Sequence, residues 1–227
     1  MGPNNKCLSA DERIVCPLCA SREIRFLFSG QRKNLIRDYY CCANCDLVFV
    51  PSVFHLSFLD QKNRYLEHNN EFEDLGYRKF LSRLKDELIP FLGNGDAGLD
   101  YGSGPGPVLA EMMMRSGYKM ELYDPIFHPD ENVFQNRYDF IVCTETAEHF
   151  ANPNVDFGRM FHMLNPGGLL GLMTGILYKE IDFEHWYYRL DPSHISFYSP
   201  DTMDWISSHW DWEALNVKRN VYILRKN

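Results

Sequence analysis

The sequence predicts a doubly wound α/β sheet closed by an antiparallel hairpin and preceded by a small cysteine-built ribbon. Three observations carry this. From residue 97 onward, short apolar strands alternate with helical stretches. The first of those strands runs straight into the glycine-rich turn Gly102-Ser103-Gly104-Pro105-Gly106. Ahead of all this stand two Cys-x-x-C pairs, Cys16/Cys19 and Cys42/Cys45. A length of 227 residues suits one mid-sized domain with a small appendage. We expect the ribbon over residues 1–55 and the α/β domain over 56–227.

The elements follow in order. Ile24–Phe28 and Asp38–Tyr40 read as strands around a polar loop, Ser29–Asn34. Residues 61–92 carry Leu66, Phe72, Leu75, Phe80, Leu81, Leu84 and Leu88 at mostly helical spacing, giving one or two amphipathic helices ended by Pro90 and Gly93. Ala97–Tyr101 is the first strand of the sheet, and the helix Val108–Arg115 is closed by Ser116-Gly117. Tyr118–Tyr123, Tyr138–Cys143 and Gly168–Thr174 are further strands, with a helix near Asn154–Leu164. Trp212–Val217 and Val221–Arg225, separated by Lys218-Arg219-Asn220, form the closing hairpin.

Composition excludes several classes. Hydrophobic residues at 45% and charged residues at 24% are ordinary for a folded domain, so wholesale disorder is out. A net charge of −8 argues against a general nucleic-acid binder. The charge is uneven: residues 1–60 hold seven Lys/Arg against six acids, whereas the rest holds 16 against 25. Arg22, Arg25, Arg32, Lys33 and Arg37 read as a solvated basic face of the head. The polar N-terminus lacks the apolar core of a signal peptide. Met160–Tyr178 runs 19 residues without a formal charge, but Asn165-Pro166-Gly167-Gly168 breaks it in the middle. These features predict a cytoplasmic protein with no membrane partner.

The two cysteine pairs are separated by 22 residues. Four thiolates suit a tetrahedral zinc ion with bonds of about 2.3 Å, and each C-x-x-C turn places two sulfurs on one side of it. The other readings are two disulfides, which a reducing compartment disfavours, and four unrelated thiols. Cys16, Cys19, Cys42 and Cys45 are therefore the expected ligands, and a set of four leaves no open position, so the zinc is structural. Cys41 is a spare neighbour, Cys7 falls in the terminus, and Cys143 reads as a buried strand residue.

A strand feeding a glycine-rich turn and then a helix lets backbone approach a ligand closely. The dinucleotide pattern is incomplete, because Pro107 stands in place of its third glycine. Asp124 closes the next strand 22 residues beyond Gly102, where a carboxylate can accept from both hydroxyls of an adenosine ribose.

Leu99–Gly106 resembles motif I of class I S-adenosylmethionine-dependent methyltransferases, and Asp124 matches their ribose-binding acid. Tyr138–Glu145 followed by Glu148-His149 resembles their fourth strand and its loop, and Leu164-Asn165-Pro166-Gly167-Gly168 the turn before the fifth. The likeness spans roughly residues 75–227. It implies a Rossmann-like seven-stranded sheet. It also implies S-adenosylmethionine held by Asp100, Tyr101, Gly102, Ser103, Gly104, Asp124, Pro125, Thr144 and Glu145. One departure stands out: only 14 residues separate Asp124 from Asp139, too few for a full third strand and helix. The head resembles the zinc-ribbon leader found on a subset of bacterial methyltransferases, some of which act on sugars or other small metabolites. Certain ribosomal-RNA methyltransferases also carry an N-terminal zinc module.

Methyl transfer from a sulfonium is an in-line displacement, so the protein mainly positions the acceptor and excludes water. An oxygen or nitrogen acceptor can call for a general base, which directs attention to histidine. His149 follows a strand end at the cofactor edge. His185 and His194 flank Trp186-Tyr187-Tyr188-Arg189-Leu190-Asp191-Pro192-Ser193. We expect His194, His149, Asp191 and Tyr187 to carry the chemistry, with Asp191 orienting His194 and Tyr187, like its neighbours Trp186 and Tyr188, able to stack on the acceptor. A helix-capping histidine and core aromatics are the plainer readings of the same residues. The expected activity is methyl transfer to a small molecule such as a sugar, nucleotide-sugar or other metabolite. The alternatives are an RNA methyltransferase using the ribbon as a clamp, and a non-catalytic scaffold.

Overall fold

A computed structural model describes residues 14–32, 35–67 and 72–227. Cys7, Lys33 and Asn34 lie outside these. The head begins with two knuckles of matching backbone pattern. Ala20 and Asp46 donate N–H bonds of 3.0 Å to the carbonyls of Cys16 and Cys42, while Cys16 and Cys42 donate to Ser21 and Leu47. Each turn closes on a left-handed residue just past its second cysteine, Ala20 and Asp46, both with φ of 57°. Between the knuckles run β1 (Ile24–Arg32) and β2 (Leu35–Cys42), paired antiparallel from Ile24↔Cys42 to Arg32↔Leu35 with a one-residue register shift between Phe26 and Phe28. The polar stretch Ser29–Arg32, expected as loop, is therefore strand. Its ladder bonds to Asp38, Arg37, Ile36 and Leu35 outweigh its polar composition.

The small sheet does not end with the head. β3 (Val48–Phe49) pairs on one side with β2 and on the other with β8 (Ser196–Phe197), giving the order β1-β2-β3-β8. Two helices follow β3 in the chain. α1 (Phe58–Leu66) is capped by Ser57, and α2 (Leu75–Leu88) by Asp74, whose carboxylate accepts from Gly76 and Tyr77 N–H.

The large sheet has the order β5-β4-β6-β7-β10-β9, where β4 is Ala97–Tyr101, β5 Lys119–Tyr123, β6 Tyr138–Thr144, β7 Leu164–Met173, β9 Trp212–Lys218 and β10 Val221–Lys226. The first four run parallel, and β10 and β9 close it antiparallel. It holds six strands among the described residues, not the expected seven. The segment between Asp124 and Asp139 folds into the short 3-10 turn Glu131–Gln135 and returns directly to β6.

Alternation along β6 sorts the core. Phe140 and Val142 face α2 and α3 (Val108–Arg115), packing with Leu81, Leu84, Leu88, Leu109 and Met113. Ile141 and Cys143 face α4 (Pro153–Met163) and α5 (Pro200–His209), packing with Phe157, Met160, Met203 and Ile206. With both faces covered, β6 reads as one apolar run, as a central parallel strand must. The second cluster also takes in Cys16, Leu18, Cys42, Cys45, Leu47 and Phe49, so the head packs onto the sheet's α4/α5 layer. Asn154 bonds the Leu18 carbonyl at 2.8 Å, and Ser199, the N-cap of α5, bonds Asp46 at 2.6 Å. α5 was not expected from the sequence, although Ser199 and Thr202 form its capping box.

Arg37 corrects the basic-face reading. It is buried, and its guanidinium donates to the carbonyls of Arg189, Asp191 and Pro192 and to the Tyr39 hydroxyl. Those carbonyls lie in a stretch of short turns with few ladder partners of their own, so β2 supplies the donors.

Candidate active site

In an open parallel sheet the crevice opens at the carboxyl ends of the strands, where the chain path reverses. Here that point lies between β4, which leads to β5 on one side, and β6 on the other. A cleft of about 860 Å³ sits there. Its walls are the turn after β4, the ends of β5 and β6, the segment 187–194, and residues of α1 and α2.

The glycine turn needs its glycines. Gly102 and Gly104 have φ of 85° and 64°, and a Cβ on Gly102 would stand 2.0 Å from the Thr146 methyl. Thr146 in turn donates to the Gly102 carbonyl at 3.1 Å, binding the β4 turn to the β6 turn. A Cβ on Gly104 would meet only open space, so there the backbone conformation sets the requirement. Asp124 is buried. Its Oδ2 accepts from Gly104 N–H at 3.0 Å, and its Oδ1 from Ile126 and Phe127 N–H at 2.8 and 3.0 Å. Pro125 follows it on the cleft wall. The hydroxyls of Ser103 and Thr144 are buried beside the cleft without a protein partner. Orphan hydroxyls, a glycine-built turn and a fixed carboxylate together fit an adenosine-bearing ligand.

Asp100 is placed differently. It is buried behind the turn, outside the cleft wall, and burial pushes its carboxyl up to about 7 against a hydrogen bond from Ala110 N–H in the first turn of α3. Tyr101 borders the cleft while its hydroxyl donates to Asp156 at 2.7 Å and accepts from Arg159 at 3.0 Å. Glu145 has a φ of 48°, left-handed for a non-glycine residue at the end of β6. Burial, reinforced by Glu148, raises its carboxyl to about 9.

The other end of the cleft gathers three of the four expected catalytic residues and leaves the fourth at the mouth. His149 and His194 meet edge to face with ring centres 4.8 Å apart. Each donates its Nδ1–H to a carbonyl, His149 to Ser193 at 3.0 Å and His194 to Tyr188 at 2.7 Å, so each Nε2 carries the free lone pair. Burial lowers the His194 pKa. Asp191 does not hydrogen-bond the His194 ring. Its carboxylate pairs with Arg64 at 2.8 Å and accepts from Ser193 N–H and Oγ. Although burial acts against it, these partners hold its carboxyl well below the usual range. Tyr187 is 75% exposed at the mouth. Its neighbour Tyr188 is the buried one, donating to Glu148 Oε1 at 2.5 Å and accepting from Gly175 N–H at 3.0 Å. His185 is exposed, pairs with Asp182, and lies off the cleft wall.

Sequence reasoning did not assign the contribution of α1. Arg64 and Tyr65 line the cleft, and the Tyr65 ring stands edge-on to His149 at 5.2 Å. Tyr77 of α2 borders the other end, its hydroxyl raised to about 12 by burial and by Asp100 and Glu145. At the head, Cys16 and Cys45 sulfurs lie 3.5 Å apart and those of Cys19 and Cys42 3.4 Å apart, with all four within 4.8 Å. All four thiols are free, at separations far beyond a disulfide bond of about 2.05 Å. A tetrahedral ion with bonds of about 2.3 Å would set such sulfurs close to this distance.

The sequence pattern of a family described as a methyltransferase domain matches residues 71–217. No curated protein matches the chain. Among solved structures, the fold is similar to that of 1,6-didemethyltoxoflavin-N1-methyltransferase from Burkholderia thailandensis, determined with 1,6-didemethyltoxoflavin and S-adenosylhomocysteine bound. The identity is 12%, the TM-score 0.51, and the match covers 82% of this chain and 97% of that one. CalO1, a methyltransferase in calicheamicin biosynthesis solved with S-adenosylhomocysteine, matches at 11% identity and a TM-score of 0.43, covering 64% and 54%. The YcgJ protein of Bacillus subtilis matches at 14% and 0.45, covering 60% and 70%. The match to the sequence pattern spans well over half of the chain, and on that ground the chain belongs to the methyltransferase domain family.

Proposed function

We propose that the protein transfers a methyl group from S-adenosylmethionine to a small-molecule acceptor. The observation that carries this is the meeting of the Gly102–Gly104 turn, Asp124, and the His149/His194 pair in one cleft at the sheet's carboxyl edge. When bound, S-adenosylmethionine supplies both the methyl group and its leaving group. Gly102, Ser103 and Gly104 would hold the ligand's sugar, with Asp124 as acceptor for the ribose hydroxyls. Pro125, Thr144 and Glu145 would take the base and Tyr101 would border the ligand, while Asp100 sits behind the turn. The acidic lining (Asp124, Glu148 and Asp191 against Arg64) favours a cationic ligand over an anionic one. That charge supports a small acceptor over a polyphosphate such as RNA.

His149 and His194 stand at the acceptor end with free Nε2 lone pairs able to take a proton, while α1 and segment 187–194 line the site. Tyr187 at the mouth offers a stacking surface to the acceptor. Cys16, Cys19, Cys42 and Cys45 hold a structural zinc that fixes the head, supported by their mutual distances and matching knuckles. The enzyme acts free in the cytoplasm; among the described residues no helix is long and apolar enough to cross a membrane.

Radiolabelled methyl transfer into fractionated cell extract tests the reading. Label in the small-metabolite fraction is the expected result. Label confined to RNA would overturn the acceptor class, and S-adenosylhomocysteine failing to bind in calorimetry would overturn the activity.

A further inference from the structure

The acceptor end of the cleft holds a second group of metal-ligating side chains, separate from the cysteines. Glu148, His149 and His194 each offer one ligating atom, and these atoms lie within 4.8 Å of one another. Each is already oriented by a partner on its far side. His149 and His194 donate Nδ1–H to the Ser193 and Tyr188 carbonyls. Glu148 is fully buried, and its two oxygens accept from the hydroxyls of Thr174, at 2.8 Å, and Tyr188, at 2.5 Å. Backbone bonds lock the same pieces together: Ile195 N–H donates to the Glu148 carbonyl at 2.8 Å. An imidazole whose Nδ1–H is tied to a carbonyl presents Nε2 as a ligand in a fixed tautomer, and a carboxylate held by hydroxyls keeps lone pairs in a fixed direction. This is the outer-shell pattern of metal sites.

A buried glutamate beside two histidines is also a costly thing to leave with neutral donors alone. Glu145 borders the group through the same Tyr188 hydroxyl, 3.4 Å away, and no Lys or Arg contacts Glu148 among the described residues. The arrangement is short of positive charge.

We propose that Glu148, His149 and His194 bind a divalent transition-metal cation whose remaining positions face the methyl acceptor. Two imidazoles and one carboxylate suit Mn²⁺, Fe²⁺, Co²⁺ or Zn²⁺ better than Mg²⁺ or Ca²⁺, which prefer all-oxygen sets. Three protein ligands leave open positions, as in catalytic sites and unlike the closed four-cysteine set. The acceptor class follows: a hydroxylated molecule whose oxygen coordinates the metal. Resting on the methyl-transfer reading, the step is balanced as follows. With both Nε2 lone pairs on the metal and no longer able to take a proton, coordination lowers the hydroxyl pKa and its proton leaves to water. The oxygen then bonds to the methyl carbon, and the carbon–sulfur bond breaks with its electron pair remaining on sulfur.

Manganese is the probe, because thiolates bind it poorly and the cysteine site stays out of the measurement. Protein carrying one zinc per chain, at the cysteines, is titrated with Mn²⁺ and followed by electron paramagnetic resonance, with no S-adenosylmethionine present. One Mn²⁺ per chain is expected, weakened at least tenfold in His149→Gln and in His194→Gln with zinc content and melting temperature retained. Glu148→Gln, closer in shape, guards against a variant that misfolds and should weaken binding likewise. Absence of Mn²⁺ binding, or binding unchanged in all three variants, overturns the site. Calorimetry with S-adenosylhomocysteine separates the two claims. Mn²⁺ bound without cofactor affinity overturns the methyl-transfer reading and keeps the metal site; cofactor affinity without Mn²⁺ does the reverse.

Discussion

Asp124 shows how much a single side chain organises here. One carboxylate takes three backbone N–H bonds, from Gly104, Ile126 and Phe127, and so fixes two loops at once. Asp124→Ala should weaken S-adenosylhomocysteine binding by about 1–3 kcal/mol, the cost of a lost charged acceptor, as read by calorimetry. Gly102→Ala should abolish measurable binding, since its Cβ would strike Thr146 and the residue would be held at a φ of 85°. Undiminished affinity in that variant would remove the turn from the binding site. Asp100 gives a pH prediction. Burial raises its carboxyl to about 7, so between roughly pH 4 and 7 the folded protein holds a proton the unfolded chain has lost. Stability therefore falls as pH rises through that window, by up to about 1.4 kcal/mol per unit. Asp100→Asn keeps an acceptor for Ala110 and removes the titration. Its stability gain in urea unfolding should grow from pH 5 to 7 and level off above; a gain independent of pH would show that Asp100 stays ionised. At this scale the sequence marked Asp124 and the glycines through type and spacing. It did not distinguish Tyr187 from Tyr188, because adjacent residues of one kind differ only in which way the folded chain turns them.

Among the elements, β2 does more than complete a hairpin. Through Arg37 it holds the carbonyls of residues 189, 191 and 192, beside His194 at the cleft. Arg37→Met would leave those buried acceptors unpaired, costing at least about 2 kcal/mol in denaturant unfolding. Hydrogen exchange should speed up over residues 186–198; unchanged exchange there would deny β2 any hold on the cleft wall. Such links were not legible beforehand. A basic residue in a short polar strand looks solvated until its partners, more than 150 positions away, are folded against it. The same holds for β3 and β8, two residues each, too short to show an alternating pattern. The elements bounded by their own turn signals were legible: β4, α3 and β10 stand within a residue of their expected bounds, whereas β1 and β7 each run four residues beyond theirs.

The whole molecule joins its cysteine head to its sheet through a common apolar cluster, with Cys42 and Leu47 packed in the same group as Phe157 and Tyr198. Thermal unfolding should accordingly show one transition, and Cys42→Ser should lower it while releasing zinc. Two separate transitions would mean that the head folds alone. By itself the sequence determined the local parts: the strands and helices with strong periods, the cysteine knuckles, the glycine turn and its acid, and through them the methyltransferase family. Those features are written in neighbouring residues, so nearest-neighbour physics suffices to find them. Only the tertiary structure decided that the sheet closes with six strands, that α1 roofs the cleft, that Asp191 pairs with Arg64, and that Glu148, His149 and His194 converge. Each of these depends on residues far apart in sequence meeting across a packed interior, where burial and unpaired polar groups select the partner, and no spacing along the chain records that choice.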